Sequence, residues 1–138
     1  MAFNILVVDD SEVIRSMICR TIRMSGVPVG ELHGAGNGEQ ALKVLGDNWI
    51  DLVLADINMP VMDGVTMIDR MHEDELLSRI PVVVISTEGS ASKIEKLRGK
   101  GMKAFIRKPF TPEAIRDVIS NVLGEWDTDS EGNGTVAF

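Results

Sequence analysis

The chain has a single cysteine, Cys19, among its 138 residues, no tyrosine, and only 4% aromatic residues. One thiol cannot close a disulfide or build a thiolate zinc site within the chain, so disulfide-stapled folds and zinc modules are excluded. Cys19 lies in a helical pattern and reads as a buried or half-buried structural thiol. Basic charge is scarce as well: 14 Lys and Arg stand against 21 Asp and Glu, a net charge of -7. Four of those acids, Glu125, Asp127, Asp129 and Glu131, follow Leu123 with no base among them, which leaves -3 for the rest. Such a balance argues against non-specific binding to nucleic acid, which needs a basic footprint. No apolar stretch approaches membrane-spanning length, and the opening M-A-F-N-I-L-V-V-D-D runs into a strand pattern without a basic region or cleavage site. A cytoplasmic protein is expected.

What is present is organised around Asp51 to Gly64, D-L-V-L-A-D-I-N-M-P-V-M-D-G. Leu52 to Ala55 is an apolar run of strand length, bounded by a loop with Asn58, Pro60, Asp63 and Gly64. Runs of this kind are strands buried on both faces, as in parallel sheets covered by helices, where ligands bind beyond the carboxyl ends of the strands. Asp56 stands at that end, whereas Asp51 begins the strand and reads as a solvated strand-end charge.

Phe3 to Val8 is a second such run, ending in Asp9 and Asp10. Ser11 then offers an N-cap to a helix whose Val13, Ile14, Met17, Ile18, Thr21 and Ile22 recur at helical spacing until Gly26 and Pro28. Val29 to Ala35 is a weaker strand because of its glycines, and Asn37 caps a helix over Glu39 to Leu45 with Ala41, Leu42 and Leu45 inward. A third helix opens after Gly64 with Val65, Met67, Ile68 and Met71. Pro81 leads into the clearest strand, V-V-V-I-S-T. Ser90 to Lys100 forms a poorer helix, Lys103 to Arg107 a fifth strand, and Thr111 with Pro112 opens a last helix carrying Ala114, Ile115, Val118, Ile119 and Val122. Five strand-helix units in alternation predict an α/β fold, a doubly wound five-stranded parallel sheet with right-handed crossovers and helices on both faces. Residues 1–123 form one domain. Residues 124–138 read as an acidic, disordered tail.

In such a sheet Asp9, Asp10, Asp56, Ser86, Thr87 and Lys108 all gather at one edge. Three carboxylates within about 5 Å of one another would repel by roughly 3 kcal/mol per pair at an effective dielectric of 20, so the cluster calls for a cation. Oxygen ligands favour Mg2+ over zinc or copper, and Mg2+ favours phosphate oxygens and water around it. With a lysine and a hydroxyl at the same edge, the inventory is one for phosphoryl transfer: Asp56 as nucleophile, Lys108 and Ser86 holding phosphate oxygens.

V-V-D-D-S, L-V-L-A-D-I-N-M-P-V-M-D-G, P-V-V-V-I-S-T-E and F-I-R-K-P-F-T resemble the marks of the receiver domain of two-component response regulators, most closely the stand-alone chemotaxis type, over roughly residues 3 to 123. The resemblance implies strand order 2-1-3-4-5. It implies Asp56 as phosphoacceptor, Asp9 and Asp10 as Mg2+ ligands with the backbone carbonyl of Asn58, and Lys108 as the phosphate-binding lysine. Ser86 and Phe105 become the switch pair, where the family often has Thr and Tyr, and the Lys108-Pro109 bond is expected to be cis. The implied partners are a sensor histidine kinase and an output protein; neither nucleic acid nor membrane is implied, and the chain is expected to be a monomer or a weak phosphorylation-dependent dimer.

Two other readings compete. A Mg2+-dependent phosphatase would carry a second acid two residues after its nucleophile as general acid, and position 58 is Asn. A receiver cut from a longer regulator would explain the linker-like tail. For output, Lys93, Lys96 and Lys100 share one side of the fourth helix, opposite Ile94 and Leu97, and with Lys103 they suggest a solvent-facing basic surface on the fourth helix, fifth strand and fifth helix. The remaining singular residues have plain readings: Trp49 as a packing residue, His33 and His72 as surface or helix-end residues, the methionines mostly as core filler. Val136-Ala137-Phe138 has the form taken by carboxylate-capturing domains.

Overall fold

Each apolar run becomes a strand and each capped periodic segment a helix in the computed structural model, which describes residues 2–87 and 90–124. The order is β1 (Phe3–Val8), α1 (Glu12–Met24), β2 (Val29–Ala35), α2 (Gly38–Asp47), β3 (Leu52–Ala55), α3 (Gly64–His72), β4 (Val82–Ser86), α4 (Ala91–Gly99), β5 (Met102–Arg107) and α5 (Pro112–Leu123). A 3-10 turn at Leu77–Arg79, without a periodic signal of its own, joins α3 to β4. All four strand pairings are parallel and the sheet order is β2-β1-β3-β4-β5.

Helix starts follow the side-chain caps. Ser11, Asn37, Asp63, Ser90 and Thr111 each accept a hydrogen bond from the amide three residues on, satisfying a donor that has no partner within the helix. Pro112 occupies the first turn of α5, where its missing N–H is no loss. The Lys108-Pro109 bond is cis, as expected.

Alternation along the strands sorts their side chains into two cores. Leu6, Val8, Val53, Ala55, Val82 and Val84 pack with Ala41, Met67, Ile68, Met71 and Leu97 beneath α2, α3 and α4. Ile5, Val7, Leu52, Leu54, Val83 and Ile85 pack with Ile18, Ile22, Ile115 and Ile119 beneath α1 and α5. At about 1.5–3 kcal/mol for each fully buried large aliphatic side chain, these two layers supply the main driving force for folding.

Several expectations fail in instructive ways. Trp49 is not a packing residue: it is 79% exposed, and its Nε1 donates to Asp51 Oδ1 at 3.1 Å. Asp51 is more than a solvated charge, because its Oδ2 accepts from the Asn4 amide at 2.8 Å and ties the start of β1 to the start of β3. On α1 only Ile18 and Ile22 of the periodic set are fully buried, while Val13 and Met17 are exposed because their side of the helix turns from the sheet. Met24 is exposed too, whereas Met67, Met71 and Met102 do fill core positions. The tail assigned to residues 124–138, including Val136-Ala137-Phe138, lies outside the described residues beyond Gly124. Among the described residues no helix is long and apolar enough to cross a membrane.

Candidate functional site

Parallel pairing brings the ends of β1 and β3 side by side: Val8 is in register with Ala55, and the Asp56 amide donates to the Val8 carbonyl at 2.9 Å. One residue further, Asp9, Asp10 and Asp56 each offer a carboxylate oxygen, all within 4.8 Å of one another. Asp9 is buried, Asp10 exposed and Asp56 intermediate.

Asp9 is held from several sides. Its amide donates to the Ala35 carbonyl at 3.1 Å, Oδ1 accepts from the Ser11 amide at 3.0 Å, and Oδ2 lies 3.1 Å from Lys108 Nζ. Asp56 Oδ1 accepts from the Ile57 amide at 2.6 Å, with the Asn58 amide at 3.4 Å, and Asp56 Oδ2 lies 3.5 Å from the same Lys108 Nζ. The lysine reaches this point because its own amide donates to the Ser86 carbonyl at 3.0 Å, extending the pairing of β4 with β5 by one step. Its ammonium offsets part of the repulsion among the three acids.

Ser86 is 1% exposed at the end of β4, whereas Thr87 is exposed, so the buried hydroxyl at this edge is Ser86. Phe105 pairs in register with Val84 and packs, half-buried, against the core beneath α4. Asn58 is exposed in the loop after β3.

Sequence reasoning passed over two contributors. Gly64 is glycine of necessity, since a Cβ there would lie 2.5 Å from the Asp56 carbonyl oxygen, and its amide donates to the Ile57 carbonyl. The only hint was its place in a turn-rich loop. Arg15 donates from Nη1 to the Asp9 carbonyl at 2.7 Å, although from sequence it is one more polar residue on a helix. Cys19, half-buried on the same helix, has its thiol pushed up by burial, against the lowering effect of Arg23 and Arg15.

Lys93, Lys96 and Lys100 line a groove with Val65 of α3, Ser90, Ser92 and Leu97, and Lys100 Nζ bridges to Asp69 Oδ1 of α3 at 3.2 Å. Lys103 lines a hollow with His72 and Ile80. These contacts give the lysine row of α4 and Lys103 of β5 neighbours on α3 and in the segment before β4.

Residues 5–120 match the family model described as the response regulator receiver domain. The chain belongs to that family. It is 33% identical over 125 residues to the chemotaxis protein CheY1 of Helicobacter pylori, covering 90% of this chain and 99% of that one. The solved structure of chemotaxis response regulator CheY4 of Vibrio cholerae aligns with a TM-score of 0.79 at 29% identity, over 88% of this chain and 99% of that chain. The receiver domain of sensor histidine kinase PA1611 from Pseudomonas aeruginosa, solved with a magnesium ion coordinated in its active site cleft, shares the fold with a TM-score of 0.79 at 22% identity, over 91% of this chain and all of that one. The chain is thus a chemotaxis-type receiver, a phosphoacceptor switch of two-component signalling rather than a classical enzyme.

Proposed function

We propose that Asp56 is the residue that accepts the phosphoryl group, and that Asp9, Asp10, Asp56 and the Asn58 carbonyl hold Mg2+ while it does so. The observation that carries this reading is the meeting of three carboxylates within 4.8 Å with one lysine ammonium on two of them. The donor set fits the ion: all the ligands are oxygens, and the exposure of Asp10 leaves room for water and phosphate. Bound Mg2+ would supply neutralisation of phosphate charge. Asp56 attacks the phosphorus of a phosphohistidine on a sensor kinase, the P–N bond breaks, and the imidazole leaves with the electron pair. Lys108 and Ser86 hold the phosphoryl oxygens as charge shifts onto them. Attack by water on the phosphorus later releases inorganic phosphate and returns Asp56 to its free carboxylate, so the chain's chemistry is confined to its own side chain. Position 58 being Asn removes the general acid that a phosphatase acting on outside substrates would use.

Output follows from the same geometry. Ser86 moves toward the phosphoryl group, Phe105 shifts in the space beside α4, and the lysines along the cleft beside α3 become complementary to an acidic segment of an output protein in the cytoplasm. Affinity capture with and without a beryllofluoride adduct identifies that protein. Replacing Lys93, Lys96 and Lys100 together with Glu should abolish adduct-dependent capture while leaving phosphorylation of Asp56 unchanged. Undiminished capture by the triple variant would place the output surface elsewhere.

A further inference from the structure

Arg15 touches the cluster through the backbone. Its Nη1 donates at 2.7 Å to the carbonyl oxygen of Asp9, which belongs to the peptide joining Asp9 to Asp10. The carboxylates differ in how they are held. Asp9 Oδ1 and Oδ2 are fixed by the Ser11 amide and Lys108, and Asp56 Oδ1 by the Ile57 amide. Asp10 is exposed at the mouth of the cluster, so its direction depends on the orientation of the peptide plane from which it departs. That plane is gripped by Arg15.

The rest of the arginine lies on a shelf of glycine. A Cβ on Gly34 would meet Arg15 Nε at 3.4 Å and Cδ at 3.5 Å, and one on Gly36 would meet Nη1 at 3.6 Å. Larger side chains at these positions would occupy the space of the guanidinium. The Gly36 amide in turn donates to Gln40 Oε1 at 2.8 Å, fixing the turn from β2 into α2. Gly34 near the end of β2 and Gly36 just beyond it thus clear a track for the arginine across the end of the sheet.

We propose that Arg15 is a positioning residue that aims Asp10 at the cation and thereby sets the preference of the site for Mg2+ over larger ions. This inference rests on the reading of Asp9, Asp10 and Asp56 as a cation site. Mg2+ demands near-ideal octahedral geometry, whereas Ca2+ accepts irregular oxygen shells, so a loosened Asp10 should harm Mg2+ binding more. Charge alone gives the opposite sign, because removing a cation near three carboxylates should tighten the binding of both ions.

Calorimetric titration of the full chain with Mg2+ and with Ca2+ separates these effects. Arg15→Lys keeps the charge and loses the planar fork, Arg15→Met loses both, and Gly34→Val displaces an intact arginine with a residue suited to a strand. All three should weaken Mg2+ binding by about 10-fold, the scale found for groups that orient metal ligands, and lower the ratio of Mg2+ to Ca2+ affinity. An unchanged ratio in the three variants, or tighter Mg2+ binding in Arg15→Met, would overturn the proposal. Wild-type protein that binds neither ion would overturn the cation reading itself, and this inference with it.

Discussion

Lys108 Nζ stands 3.1 Å from Asp9 Oδ2, joining the residue after β5 to the residue after β1 across 99 positions of sequence. Both side chains are largely shielded, at 18% and 3% exposure. A buried charge whose partner is removed keeps its desolvation cost, so Lys108→Met should destabilise the Mg2+-free protein by about 1–3 kcal/mol. With that cation gone, the loss should shrink on adding Mg2+, which binds the folded state alone. Urea denaturation with and without Mg2+ checks this; an equal loss in both conditions would mean that the lysine and the ion do not serve the same carboxylates.

The loop after β3 carries a backbone conflict. Val61 has φ 66°, in the left-handed region, although it is β-branched and 78% exposed. Nothing in its burial offsets the strain, which is about 1–2 kcal/mol for a residue with a Cβ. Val61→Asn should therefore raise stability by about 1 kcal/mol, visible as a higher urea midpoint with unchanged slope. A lower midpoint would show that the valine side chain makes a contact worth more than the strain.

Gly64 packs against the backbone of Asp56. Adding a methyl group would place carbon 2.5 Å from the Asp56 carbonyl oxygen, and that atom is backbone, which cannot swing aside. Gly64→Ala should cost about 1–3 kcal/mol and slow phosphorylation by acetyl phosphate even where the protein remains folded. Wild-type rate and stability in this variant would show that the loop accommodates the methyl group elsewhere.

Fold and site were legible in the sequence for different reasons. The strands at the centre, β1, β3 and β4, are continuous apolar runs because helices cover both of their faces, and the caps Ser11, Asn37 and Thr111 mark where α1, α2 and α5 begin. The cluster was legible because strand ends in a parallel sheet converge, so Asp9, Asp10, Asp56, Ser86 and Lys108 could be placed from order alone. What escaped depended on lateral contacts that periodicity does not encode. Ile18 and Met17 are neighbours on α1, and only the sheet's position makes one 2% exposed and the other 54%. The lysines of α4 follow helical spacing whichever neighbour they face, and the contact of Lys100 with α3 emerged only with its bridge to Asp69. Trp49 has the composition of a core residue, yet it sits in the exposed turn before β3, where its indole N–H meets Asp51.

The central claim is that Asp56 receives the phosphoryl group. Intact-mass measurement after incubation of the full chain with acetyl phosphate and Mg2+ tests it most directly. The account predicts the gain of one phosphoryl group, lost on treatment with base or hydroxylamine, in the wild type and in the triple lysine variant, and no gain in Asp56→Asn. Equal modification of Asp56→Asn would contradict it.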